Sequence, residues 1–201
     1  MHVDLVAINT KQEKQTLLIQ IDHLRQLYKV FDIQQMANQA RTCFSSTIDI
    51  GPWGGEGGDK WDVKPPSINS SVTEIRISYG DVVNSLSFKS IDRTNGQTKP
   101  SPTYGGNGPK TDQVFIGSTE YLTSLSGTLK NYNGNLVVES LTFNSMDGTS
   151  TNTHGPYGPT PTTGSSFNVP IKNGEIVGFF GRATTNRYIN AIGIHVIPHP
   201  N

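Results

Sequence analysis

The chain has 201 residues, 33% of them hydrophobic, with 21 glycines, 12 prolines and a formal net charge of zero from 16 basic and 16 acidic side chains. That composition suits a turn-rich β protein better than a helical bundle. The charge balance leaves no positive field to draw phosphate backbones or anionic lipid, which argues against nucleic acid as a ligand. A lone Cys43 excludes an internal disulfide, the Met1 segment lacks a secretory pattern, and no apolar run approaches the roughly 18 residues that span a bilayer. A cytoplasmic or nucleocytoplasmic protein without membrane insertion is expected.

Residues 11–40 contain no glycine or proline, and Leu17, Ile21, Leu24, Tyr28 and Phe31 recur at alternating spacings of four and three. This is the stripe of an amphipathic helix, with Thr10 available as a cap. The stripe either packs on a domain or pairs with a partner helix. Residues 41–50 read as a linker into the first strand, so the chain divides into an N-terminal helical extension and linker (1–47) and a β domain (48–201).

From Gly51 onward, short β-branched runs are separated by Asn95-Gly96, Asn133-Gly134, Asp147-Gly148 and Asn173-Gly174, dipeptides that favour positive φ at hairpin turns. Strands are predicted at 72–79, 85–91, 136–143 and 176–180. A repeat runs through them: Ile75 to Gly80 leads to Ser85-Leu-Ser-Phe88, Leu125 to Lys130 leads to Ser140-Leu-Thr-Phe143, and Ile176 to Gly181 leads to Ala191-Ile-Gly-Ile194. Three strand-turn-strand copies suggest three hairpin-based sheets about a pseudo-threefold axis.

Gly51-Pro-Trp-Gly-Gly-Glu-Gly-Gly58, Gly155-Pro-Tyr-Gly158, Ser166-Phe-Asn-Val-Pro-Ile171, Gly174 to Arg182 and Ala191-Ile-Gly-Ile194 together resemble the jacalin-related lectins of plants, over about residues 48–198. The resemblance implies an all-β fold, a β-prism of three four-stranded Greek-key sheets, and carbohydrate binding with no catalysis, cofactor or metal. The uninterrupted chain into the Gly-Gly loop is similar to the single-chain, mannose/glucose-type branch. Defence or stress response and assembly into homo-oligomers are further implications.

In that branch the sugar lies between the Gly-Gly loop and a Gly-Asp-x-x-Asp loop, whose last carboxylate accepts from two sugar hydroxyls. The resemblance thus assigns Gly58 to the first loop and Arg187, Tyr188, Ile189 and Asn190 to the second, which is lengthened by Thr184-Thr185. Tyr188 is the candidate for an apolar sugar face. Asn190 stands where the acid is expected. An amide has one acceptor oxygen where a carboxylate has two, and a neutral hydrogen bond contributes about 0.5–1.5 kcal/mol against about 1.5–3 for a charged one, so affinity should fall roughly ten- to thirtyfold. Gly80-Asp81-Val82-Val83-Asn84 similarly resembles an additional sugar site formed by Asp81, Val82 and Asn84, with Gly106 facing them from Tyr104-Gly-Gly-Asn-Gly108. The residues alone also allow an ordinary hairpin turn there.

Other signals carry less. His195 and His199, four apart on a strand, lie about 13 Å from each other, too far to share a metal. The glycine-rich runs at 54–60 and 105–111 lack the lysine spacing of a phosphate loop. Trp53 reads as core. The leading function is therefore a mannose/glucose-type lectin, weakened or altered at Asn190, with glycans as partners. The alternative is a β-prism without sugar binding that serves as a protein-interaction module.

Overall fold

The computed structural model describes residues 47–199, in which no helix occurs. The predicted helix over 11–40 lies outside the described residues, and the expected linker gives way to strand at Ile48. The strands in chain order are β1 (Ile48–Gly54), β2 (Asp59–Val63), β3 (Ser70–Tyr79), β4 (Val83–Asp92), β5 (Thr98–Pro100), β6 (Tyr104–Gly105), β7 (Lys110–Phe115), β8 (Glu120–Tyr132), β9 (Asn135–Asp147), β10 (Ser150–Tyr157), β11 (Ser165–Pro170), β12 (Gly174–Thr184) and β13 (Tyr188–Pro198).

All pairing is antiparallel, in two hydrogen-bonded sheets of eight and five strands. Three long hairpins, β3–β4, β8–β9 and β12–β13, form their centres, and each is flanked on both sides: by β7 and β5/β6, by β11 and β10, and by β2 and β1 respectively. The last two groups join through one β12–β8 pair, Ile176 with Leu122.

The sequence repeat has a structural counterpart. Ile75 pairs Phe88, Leu125 pairs Phe143 and Phe179 pairs Ile194. Each hairpin has two register shifts at equivalent places, after Val72, Leu122 and Ile176, and again after Ser78, Thr128 and Arg182. A bulge bends its strand and steepens the twist, so matched bulges give the hairpins matched curvature. The third copy thus aligns Phe179, not Ile176, with Ile75. Val177 is the residue left unpaired in its first bulge, and Gly178 pairs His195.

The inward residues meet in one core. Phe179 is fully buried, stacked on Phe88 at 4.4 Å and edge-on to Phe143 at 6.0 Å, so the three hairpins share an aromatic centre. Complete burial of a side chain of this size contributes about 2–3 kcal/mol. Trp53 packs against the same core, stacked on Phe167 at 5.5 Å.

Turn chemistry follows the sequence in full at one of the four dipeptides. Asn133 and Gly134 take φ of 52° and 80°, a primed turn between β8 and β9, and Gly96 and Gly148 also have positive φ. Asn173-Gly174 is no hairpin: Gly174 opens β12, and β11 pairs β8 instead of β12.

Candidate functional site

The tips of the three central hairpins meet at one end of the domain. Val82 from the first, Val137 and Tyr132 from the second and Tyr188 from the third form a small apolar cluster separate from the main core. Tyr188 is 5% exposed, its ring edge-on to Tyr132 at 6.0 Å and its hydroxyl accepting from Asn135 Nδ2 at 3.2 Å. The expectation that Tyr188 offers an apolar face to sugar is therefore corrected. The ring is the hub that ties three tips together, and Ile189, with no exposure, points into the main core.

The loop from Gly54 to Gly58 joins β1 to β2 and threads between the second and third hairpins. Gly55 N–H donates to Asn190 O at 2.9 Å. Gly58 has φ of 68°, and a Cβ there would lie 2.3 Å from Ala183 O, so only glycine lets the loop close on the Ala183–Thr184 backbone. Arg182, at the end of β12, donates from Nε to Gly57 O at 3.1 Å and from Nη2 to Gly58 O at 2.7 Å. Nothing in the sequence marked Arg182 as the tie between these loops.

Asn190 is brought to this loop, but its side chain has no exposure. Thr184 Oγ1 donates to Asn190 Oδ1 at 2.7 Å, and Asn190 Nδ2 is buried without a partner, aimed at Gly57, where a Cβ would stand 2.8 Å away. In the sequence Thr184 is only part of an insertion, yet in the fold its hydroxyl donates to the oxygen on which recognition is expected to depend. Arg187 is exposed at the tip, in a turn closed by Arg187 N–H donating to Thr184 O at 3.0 Å, with Asn186 at φ of 58°.

The residues assigned to an additional site lie close together, Gly106 N–H donating to Asn84 O at 2.9 Å, but differ in exposure and contacts. Asp81 is exposed, Val82 is buried in the tip cluster, and Asn84 and Gly106 contact the third hairpin's tip. The Gly80 and Gly181 loops are neighbours, not independent units.

Two polar clusters lie apart from Asn190. His195 on β13 is fully buried, with Nδ1 2.6 Å from Asp49 on β1 and Nε2 2.8 Å from Asp62 on β2. It reaches Asp62 across Gly178 of β12, where a Cβ would come within 3.0 Å of the ring. This ladder ties together the two strands that carry the Gly54–Gly58 loop, beside an open cleft of about 700 Å³ lined by Gly54, Glu56, Lys60 and Arg182. His199 is remote from it, edge-on to Tyr121. Elsewhere Ser145 bonds to both Glu120 and His154. The serine, not the imidazole, sits between the other two and is buried, so the arrangement does not make a nucleophile.

The jacalin-like lectin domain pattern matches residues 50–195. A mannose/glucose-specific lectin of Parkia pendula is 42% identical over 161 residues, covering 77% of this chain and 33% of the relative, so the chain spans about a third of that lectin's length. The jacalin-related lectin Calsepa of Calystegia sepium is 42% identical over 72% of this chain and 92% of its own. Among solved structures, an artocarpin–mannotriose complex superposes with a TM-score of 0.65 at 37% identity, covering 76% of this chain and 98% of artocarpin.

Proposed function

The chain belongs to the jacalin-like lectin family, whose domains bind carbohydrate and carry out no reaction, and on that premise we propose that it binds mannose- or glucose-type glycans reversibly where the Gly54–Gly58 loop meets the tip of β12–β13. The observation that supports this reading most is the pair of Arg182 hydrogen bonds to Gly57 and Gly58, which hold the two loops together. Gly58, the backbone of Arg187 and Tyr188, and Asn190 are the proposed contacts within a lectin module of residues 48–201. Relatives and neighbours named for mannose or mannotriose support the sugar class.

The strand pairing is read here as a β-prism of three four-stranded sheets, β7–β3–β4–β5/β6, β11–β8–β9–β10 and β2–β12–β13–β1, each built on one bulged hairpin.

Affinity per site is proposed to be low. With its oxygen taken by Thr184 and its amide buried, Asn190 meets a sugar only after a local rearrangement, and it lacks the charge of a carboxylate. Weak sites become useful when several are linked in one assembly, so a homo-oligomer, acting in the cytoplasm or nucleocytoplasm in defence or stress response, completes the proposal.

Titration of methyl α-mannoside and a mannose-rich glycan into the native protein and into Asn190→Asp tests the reading. Saturable binding by the native protein, altered in the variant, supports it. Absence of binding by the native protein with binding by the variant favours the second reading, a protein-interaction β-prism, which the complete burial of Asn190 supports.

A further inference from the structure

The backbone of Asn186 and Arg187 at the tip of β12–β13 is clasped by the first hairpin's loops. Asn84 Nδ2 donates to Arg187 O at 3.2 Å, and Asn186 N–H donates to Gly105 O at 3.2 Å. Gly106 lies flat against the same peptide: a Cβ there would fall 2.3 Å from Asn186 C and 2.5 Å from Arg187 N. Asn84 O in turn accepts from Gly106 N–H at 2.9 Å, so Asn84 grips both sides of the joint. We propose that Asn84, with Gly105 and Gly106, forms a brace that positions the glycan-facing backbone of the Asn186–Tyr188 tip, and is not a second sugar site.

The brace explains why an amide stands at position 84. Only a donor can face the Arg187 carbonyl, which sets the orientation of the Asn84 amide; a carboxylate there would oppose oxygen to oxygen. The Arg187–Tyr188 peptide is trans and planar, so drawing its C=O toward Asn84 turns the Tyr188 N–H the opposite way, away from the first hairpin. Asn84 thereby fixes the direction of a backbone donor without touching a ligand. Arg187 is exposed at this tip, so the braced peptide stays at the surface.

The inference rests on the proposed function only where sugar is concerned, so its test has two readouts on the full chain. Amide hydrogen exchange of Asn186, followed by NMR, reports the brace with no ligand present. Titration with methyl α-mannoside reports affinity and stoichiometry. In Asn84→Asp, exchange at Asn186 should quicken about tenfold, the loss of roughly one hydrogen bond, while amides of β8–β9 stay unchanged. Sugar affinity should weaken by a similar factor at unchanged stoichiometry. Gly106→Ala, which leaves Asn84 intact, should speed the same amide from the other side. Unchanged Asn186 exchange in both variants overturns the brace, and so does a second equivalent of sugar bound by Asn84→Asp, the signature of a restored independent site. If the native protein binds no methyl α-mannoside, the glycan assignment fails, and the exchange readout still decides the brace.

Discussion

Thr184 and Asn190 form a closed pair: the threonine hydroxyl donates to the only side-chain acceptor that Asn190 has, and the other half of the amide is sealed against Gly57. Asn190 Oδ1 keeps a second lone pair, but with the side chain unexposed a sugar hydroxyl reaches it only by displacing Thr184. Thr184→Ala should remove the competitor and open the space over the amide. Affinity for methyl α-mannoside should rise about three- to tenfold, the equivalent of one neutral hydrogen bond, while the ligand-free protein loses about 1 kcal/mol. Calorimetric titration beside a thermal melt measures both, and a fall in affinity would show that Thr184 helps to hold the ligand.

Tyr188 separates a packing role from a stacking role. Tyr188→Phe removes only the bond from Asn135, so sugar affinity should stay within about twofold. Tyr188→Ala empties the hub between Val82, Val137 and Tyr132 and should cost about 3–5 kcal/mol of stability. Urea unfolding of the two variants distinguishes the cases, and a Phe variant as unstable as the Ala variant would contradict the assignment.

His195 links β1 to β2 through Asp49 and Asp62. His195→Ala leaves both carboxylates without their shared partner and should cost about 2–4 kcal/mol, lowering Tm by roughly 5–10 °C. Because those strands carry the Gly54–Gly58 loop, sugar binding should weaken as well. Differential scanning calorimetry followed by titration below the melt tests both effects.

Glu139 supplies the pH dependence. Burial alone would raise its carboxyl, but hydrogen bonds from Thr163 N–H, Thr128 Oγ1, Gly164 N–H and Thr163 Oγ1 outweigh it and hold the pKa at about 2, against an ordinary 4.5. A depressed folded-state pKa adds stability that is present above the unfolded value and lost as pH falls through the folded one. The native protein should thus lose on the order of 2 kcal/mol between about pH 5 and pH 2 that Glu139→Gln, less stable at pH 7, does not lose. Melts of both proteins across that range check the sign; parallel curves would remove Glu139 from the account.

Strands β3 and β4 were legible because stretches of both alternate, as at Ile75-Arg-Ile77 and Leu86-Ser-Phe88, and turn residues flank them. The hairpin at Asn133-Gly134 was legible because one dipeptide needs positive φ at both positions. Asn173-Gly174 looked the same in sequence and proved to be a crossing between unpaired strands, since turn propensity says nothing about which strands become neighbours. The Gly58 and Asn190 loops were found by motif. Their closure was not, because Thr184 and Arg182 act through hydrogen bonds that no periodicity records. The Asn84–Arg187 contact spans 103 positions, and an asparagine in a glycine-rich turn gives no sign of what it will grip.

Strand β1 pairs with β13 and β2 with β12, Ile48 lying opposite Val196 and Trp61 opposite Gly181. The Gly54–Gly58 loop therefore precedes all three central hairpins in the chain but takes its shape from the third of them, β12–β13. Such pairings carry a high loop-closure cost and form late in folding, so the end of the domain that holds the proposed site should be its final part to assemble. A nascent chain halted before Thr184 would have its first two hairpins complete and a Gly54–Gly58 loop with nothing to close upon.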